Sequence, residues 1–403
     1  MPALAQELLD EITQSVDGTQ NVKALSLASR AFRSSSQRRL FRTWLLYDRD
    51  ARLLFAGNGP LVVATFKNAQ KMADSFPHLL DHARDLTVDL RQDAPLELLE
   101  DVLLPHAPPL VRLCIRNQFS LHRVNMRDLN LTTSPLAHLF FLPTLRSFSL
   151  ENFVGVPRSF IPFAMSRFDE VNFVDIGIER APDDSPLPLR PIKAKTLNFR
   201  SQSDILYDRD RFTIILDIGL ERHLRGLRIL RLSSGNASWR TLLKEGDITQ
   251  TLEHLEIKVK YLPRFSECAF TTLRVLRLDF HILAKVLSGS LESDGLPMFP
   301  SSVSSFEDLM ELLPVSTPAL ESLTVCISVT VIVGPYSWPG PDENVEPFPS
   351  FVSMQHFPKL NGIHFAIASA EDAVGFENYA ERLFPGPCAA HILSYSTFDF
   401  SLF

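Results

Sequence analysis

A six-residue pattern, apolar at its first, fourth and sixth positions, recurs ten times between residues 83 and 365, and few folds can accommodate such a recurrence. In order the copies are ARDLTV (83–88), LVRLCI (110–115), LRSFSL (145–150), FDEVNF (168–173), AKTLNF (194–199), LRILRL (227–232), LEHLEI (252–257), LRVLRL (273–278), LESLTV (320–325) and LNGIHF (360–365). Successive starts lie 27, 35, 23, 26, 33, 25, 21, 47 and 40 residues apart. Along an extended chain the fourth and sixth residues share one side and the fifth takes the other. Each copy therefore predicts a short strand whose fourth and sixth side chains enter a core while the fifth faces out. Stretches able to form helices lie between them, at 96–104 (LELLEDVLL), 238–244 and 306–313. Strand, helix and strand in short register give parallel neighbours, so the array predicts an α/β chain with a curved parallel sheet and helices or loops outside it. Pro109, Pro143, Pro318 and Pro358 stand one or two residues before a copy, where proline ends a preceding helix by pushing the residue before it out of the α region.

The first 45 residues follow a different period. Leu4, Leu8, Ile12 and Val16 recur every four residues with Leu9 widening the stripe, which predicts a short amphipathic helix. Asp17-Gly18 marks a turn. Val22, Leu25, Ala28 and Phe32 make a second helical stripe, and Ser34-Ser35-Ser36 supply candidate N-caps for a third helical turn from Gln37 to Arg42. Three helices of this size bury little apolar surface by themselves, so they are expected to lean on a partner or on the following chain.

The run L-x-x-E-L-L-D-E-I, then L-S-L-A-S-R-A-F and a closing R-R-L-F-R, resembles the F-box of fungal F-box proteins. The resemblance implies docking on the adaptor Skp1, and through it on the cullin of a ubiquitin ligase, with Leu4, Leu8, Leu27 and Phe32 at the apolar docking positions. Ala5 stands where the family usually has Pro, and Phe32 where Trp is common. The first change removes a rigid helix start, and the second keeps an aromatic plug without the indole N–H. The ten hexamers resemble leucine-rich repeats, a usual companion of the F-box, and several spacings fall within the family's period of about 20 to 29. The Asn or Cys that follows the last repeat leucine in regular arrays is absent, with Gly235, Lys260 and His281 in its place, so the solenoid is expected to be irregular. The implied organisation is an F-box-like helical segment over 1–45 and a leucine-rich-repeat solenoid over 46–403, with Pro-rich insert loops near 181–191 and 334–350.

Other function classes find little support. A net charge of -7 gives no general attraction to nucleic acid or anionic membranes, although 19–45 hold six basic side chains and no acid. That cluster is better read as a solvated helix face or as complementary to an acidic partner. The acidic N-terminus predicts no secretory leader, and no stretch reaches the length of a membrane helix. Cys114, Cys268, Cys326 and Cys388 form no C-x-x-C pair and predict buried thiols of an intracellular protein, cytoplasmic or nuclear. No phosphate-binding loop, nucleophile elbow or zinc-protease motif occurs, so no catalytic residue, cofactor or metal is expected. His78 and His82, four residues apart, have a ligand spacing but lack an evident third ligand.

The remaining candidate surface is the outward fifth position, which down the array reads Thr87, Cys114, Ser149, Asn172, Asn198, Arg231, Glu256, Arg277, Thr324 and His364. Arg231, Glu256 and Arg277, flanked by His254, Lys258 and Asp279, predict either a self-satisfying ladder of cross-strand ion pairs or a recognition patch for a client protein. The implied function is the substrate-recognition subunit of a Skp1-cullin-F-box ligase, binding adaptor by its helices and client by its strands. The alternative is a leucine-rich-repeat interaction scaffold without a ligase role.

Overall fold

All ten hexamers form strands in the computed structural model, each starting at the third residue of its copy. The structure describes residues 5–47, 62–90, 108–117, 124–126, 135–157, 159–178, 192–200, 224, 226–232, 243, 247–258, 269–285, 313, 315–333, 346–352, 354–367 and 370–397. The chain divides into two compact units, Met1–Pro186 and Leu187–Phe403.

The first unit opens with helices α1 (Gln6–Ser15), α2 (Thr19–Ala28) and α3 (Arg30–Leu40). It continues through β1 (Thr43–Tyr47), β2 (Val62–Thr65), α4 (Phe66–Ser75), β3 (Asp85–Asp89), β4 (Arg112–Arg116) and β5 (Val124–Asn125). Then follow α5 (Pro135–Phe140), β6 (Ser147–Glu151), β7 (Phe153–Val154), α6 (Phe160–Arg167) and β8 (Glu170–Val174). Its main sheet is parallel throughout, in the order β2-β1-β3-β4-β6-β8, while β5 and β7 make a separate parallel pair. The second unit holds β9 (Thr196–Arg200), β10 (Ile229–Leu232), β11 (His254–Lys258), β12 (Val275–Lys285), β13 (Ser322–Val333) and β14 (Gly362–Ile367). It ends with α7 (Ala370–Leu383), α8 (Pro385–Ala389) and β15 (Leu393–Thr397). Its strands are again parallel and lie side by side in chain order from β9 to β15. The architecture is thus mixed α/β on open parallel sheets, not closed into a barrel.

Burial follows the hexamer as expected. The fourth and sixth residues, from Leu86 and Val88 to Ile363 and Phe365, are buried in every copy, and so is the first, from Ala83 to Leu360. A backbone device then repeats with the strands. The carbonyl at the second position accepts from two successive N–H groups of the next copy. Val111 takes Arg146 and Ser147 at 2.9 and 3.0 Å, Arg228 takes Glu253 and His254 at 2.8 and 3.0 Å, and Arg274 takes Glu321 and Ser322 at 2.8 and 3.0 Å. Within each unit the copies so joined are held in one register on their predecessors, and the orphan amides at strand entry are satisfied. Two threonines add to the tie: Thr251 Oγ1 donates to the Leu227 carbonyl at 3.1 Å, and Thr272 Oγ1 to the Leu252 carbonyl at 2.9 Å.

Aromatic side chains fill the space under the strands. In the first unit Phe140, Phe148, Phe160 and Phe168 meet with centroids 5.3 to 6.3 Å apart. In the second, Phe365 packs on Phe376 at 5.2 Å, on Phe384 at 5.4 Å and on Tyr395 at 5.9 Å, so α7 and the Phe384 that follows it close the core beneath β14 and β15. Asn152 and Asp175, just past β6 and β8, take left-handed φ values of 63° and 50°, which Asn and Asp tolerate better than most residues.

Several expectations change. The third helix starts at Arg30 with Ser29 as its cap, its Oγ accepting from the Ala31 N–H, so Ser34, Ser35 and Ser36 lie inside the helix. The second stripe is broken at Ser29, which places Phe32 on α3 instead of α2. The end of the Pro-rich insert near 334–350 does not project: Phe348 is buried and meets Phe384 at 5.3 Å. The 181–191 insert, the helical stretch at 96–104 and residues 334–345 lie outside the described residues, as do 238–244 and 306–313 apart from Leu243 and Leu313, which are buried. Cys268 lies outside them too.

Candidate functional site

Two surfaces carry the residues singled out by sequence, one in each unit. In the first, α1 and α2 both pack on α3, but with a face that the four-residue stripe misplaces. Leu9 and Thr13 turn inward at 5% and 1% exposure, whereas Leu8, one residue earlier, remains 42% exposed. On α2 the inward residue is Val22, at 1%, and Leu27 stands in water at 84%. Phe32 is half-buried on α3, where Ser35, Ser36 and Leu40 form the inward side. Leu4 lies outside the described residues. Of the four expected docking residues, then, Leu8 and Leu27 are left over after the helices have packed.

The helices are tied by polar contacts that the apolar stripes do not reveal. The Asp10 carboxylate accepts from Ser35 Oγ at 2.5 Å and from Gln6 Nε2 at 3.0 Å, and pairs with Arg38 at 3.1 Å. The Ser35 and Gln6 hydrogen bonds, with Arg38 beside them, hold its carboxyl below the usual range. Arg39 donates to the Thr13 carbonyl, and Arg42 reaches Asp85 of β3 at 3.5 Å. Half of the basic cluster at 19–45 is therefore engaged within the fold, leaving Lys23, Arg30 and Arg33 exposed.

The second surface is the outward face of β9 to β13. Strand register sets Arg231, Glu256 and Arg277 side by side. Arg231 Nε lies 3.4 Å from Glu256 Oε2, Arg277 Nε 3.6 Å from Glu256 Oε1, and Arg277 Nε 3.5 Å from Asp279 Oδ1. Arg231 also donates to Asn198 Oδ1 at 3.4 Å, a buried neighbour on β9 that charge patterning alone did not single out. Both guanidiniums keep 30% exposure and the shared carboxylate 16%, so the ladder is half-desolvated and still meets solvent. His254 sits in register between Ile229 and Val275. Burial first, then Arg231 and Arg277, push its imidazole below the ordinary value, which keeps it neutral near pH 7. Lys258 aligns in register with Asp279, and its side chain lies outside the described residues. Cys326, next to Asp279 in register, is buried, and burial together with the Asp279 carboxylate pushes its thiol up to about 12, so it stays protonated and unreactive at neutral pH.

His78 and His82 fall on the 3-10 segment Pro77–His82. With about three residues per turn, positions four apart there do not share a face. Burial pushes His82 below the ordinary imidazole value, and among the described residues no three His, Cys, Asp or Glu side chains converge as metal ligands. Among the described residues no helix is long and apolar enough to cross a membrane. No family model matches the chain, and no curated protein does.

Proposed function

We propose that the chain is a non-catalytic substrate receptor of a Skp1-cullin-F-box type ubiquitin ligase, with residues 1–45 docking on a Skp1-like adaptor and the strands beyond presenting a client-binding face. The observation that carries this reading is the pair of leucines left in water by the packed helices, Leu8 and Leu27. Burying a leucine fully stabilises by about 1.5–3 kcal/mol, so a partner groove would recover most of that at Leu27 and somewhat under half of it at Leu8. Exposed Lys23 on α2 and Arg30 and Arg33 on α3 favour an acidic partner surface and a faster encounter.

The one-register stacking and the repeated carbonyl ladder within each unit support reading the strands as turns of an irregular leucine-rich-repeat solenoid. The half-desolvated row of Arg231, Glu256, Arg277 and Asp279, with His254 beside it, is the client face. Its Coulomb pairs are partly open to solvent and exchange for a client's charges at modest cost. Such a receptor acts by tethering, raising the effective concentration of a client lysine near the charged conjugate without breaking a bond itself.

The test is binding of the purified full chain to a Skp1-type adaptor, wild type against Leu8→Asp with Leu27→Asp. Loss of binding with an unchanged melting temperature supports the receptor. Undiminished binding by the double variant, or none by a well-folded wild type, rejects it and leaves an interaction scaffold.

A further inference from the structure

The last two strands hold a constellation that the charged row does not include. His364, on the outward face of β14, faces Ser394 of β15 in register. Its Nδ1 lies 2.9 Å from Ser394 Oγ and its Nε2 lies 2.8 Å from Ser396 Oγ. The two serines are two residues apart on one strand and so share a face. Ser394 has a second contact: its hydroxyl donates to the Ile363 carbonyl at 3.4 Å. With its proton spent there, its oxygen accepts from an Nδ1–H, which belongs to one of the two imidazole tautomers that fit these contacts. A neutral imidazole protonated on Nδ1 carries its lone pair on Nε2, and the Ser396 hydroxyl donates to that lone pair. The result is a directed chain, Ser396 to His364 to Ser394, in which a hydroxyl is bonded to a base that a third group orients.

The surroundings fix this chain and leave it open. Tyr395, between the two serines, stacks on Phe365 at 5.9 Å with planes 18° apart, which anchors β15 from the core side. Ser394 and Ser396 are exposed on the other side. The outward neighbours are small: Thr324 faces His364 from β13, and a Cβ built on Gly362 would meet nothing within 4 Å.

We propose that Ser396 is a reactive hydroxyl, with His364 as its general base and Ser394 as a positioning residue, and that it accepts an acyl group from an activated ester. In the step, Ser396 Oγ forms a bond to the acyl carbon while its proton passes to His364 Nε2. The bond from that carbon to the aryloxide leaving group breaks, and the leaving group takes the proton from the imidazolium. The product is an O-acyl serine on the outward face, a covalent modification site independent of adaptor docking.

The probe is p-nitrophenyl acetate on the full chain, with acetylated serines located and timed by peptide mass spectrometry. Ser396 is expected to acquire acetyl about a hundredfold faster than Ser394, in line with the lower end of what a positioned general base contributes. His364→Gln is expected to remove that advantage with an unchanged melting temperature. Ser394→Ala is expected to lower the Ser396 rate and Ser394→Thr to restore it, since threonine keeps the hydroxyl that orients the ring. An advantage of Ser396 over Ser394 below about tenfold overturns the proposal, as does a Ser396 rate that His364→Gln leaves intact or an alanine loss that threonine does not rescue.

Discussion

Val22 and Leu27 lie on the same helix, and the docking argument requires truncations at the two positions to behave differently. Val22 is 1% exposed, so Val22→Ala removes two buried methyl groups, about 1.6 kcal/mol at roughly 0.8 kcal/mol per group, and the cavity left behind raises the loss to about 2 kcal/mol. Leu27 is 84% exposed. Only about a sixth of a leucine's roughly 1.5–3 kcal/mol of burial is at stake there, which puts Leu27→Ala near 0.4 kcal/mol. Trp44 supplies the signal. It is 1% exposed, follows α3 directly, and donates its indole N–H to the Phe41 carbonyl at 2.6 Å. Replacing Trp239 and Trp338 by Phe leaves its fluorescence as the reporter of urea unfolding in this segment. With a denaturant slope of about 1–2 kcal/mol per molar, Val22→Ala is expected to lower the midpoint by about 1–2 M and Leu27→Ala by about 0.2–0.4 M. Equal shifts would refute the reasoning, because they would place Leu27 inside the chain's own packing and leave no surplus leucine for a partner.

Three further outcomes follow from the same geometry. Replacing Glu256 by Ala removes the carboxylate that Arg231 and Arg277 share, and a double-mutant cycle of Glu256→Ala with Arg231→Ala is expected to give a coupling of at most about 1 kcal/mol by urea unfolding, because the guanidiniums remain partly solvated. The Asp10 carboxyl is held below the ordinary aspartate value of 3.8, so its contribution to stability is present above that pH and is lost as pH falls through the lower folded value; Trp44 fluorescence is expected to show an acid transition that Asp10→Asn flattens. Thr272→Val removes the hydroxyl that bonds the Gln250 and Leu252 carbonyls, and is expected to cost about 1 kcal/mol, seen as faster amide exchange at the junction of β11 and β12.

The strands were legible in sequence because period-two alternation is a direct consequence of backbone geometry, and ten copies leave little room for a different reading. Their parallel pairing followed from the short crossovers. What the pattern missed were strands without it. Thr43–Tyr47 has Trp44, Leu45 and Leu46 buried in succession, an apolar run that looks like the tail of a helix. Leu393–Thr397 does alternate, with Leu393 and Tyr395 on one side, but it is mostly exposed and too short to match the hexamer. The N-terminal helices were legible as helices, but a period of four does not separate Leu8 from Leu9. That choice was made by Ser35 and Arg38 of α3 reaching Asp10, a contact between residues about 25 positions apart. In the outward row, Asn198, Arg231, Glu256 and Arg277 were placed correctly as neighbours, whereas the serines facing His364 emerged only from register.

Irregular spacing between copies did not disturb that register, and the reason bears on which face can hold function. The copies beginning at 273 and 320 are 47 residues apart, yet Arg277 still faces Thr324, just as Glu256 faces Arg277 across a gap of 21 residues in the sequence. The restraint lies at strand entry, where the second-position carbonyls of Glu253 and Arg274 each take two amides from the next copy, and it does not depend on the length of what intervenes. Insertions therefore vary the side that carries the connections, while the outward rows keep their neighbours. A charge or hydroxyl placed at the fifth position is thus presented against the same partner whatever happens in the loop before it. This makes the strand face, more than the inserts, the place where a fixed arrangement such as Arg231, Glu256 and Arg277, or His364 with its two serines, can persist.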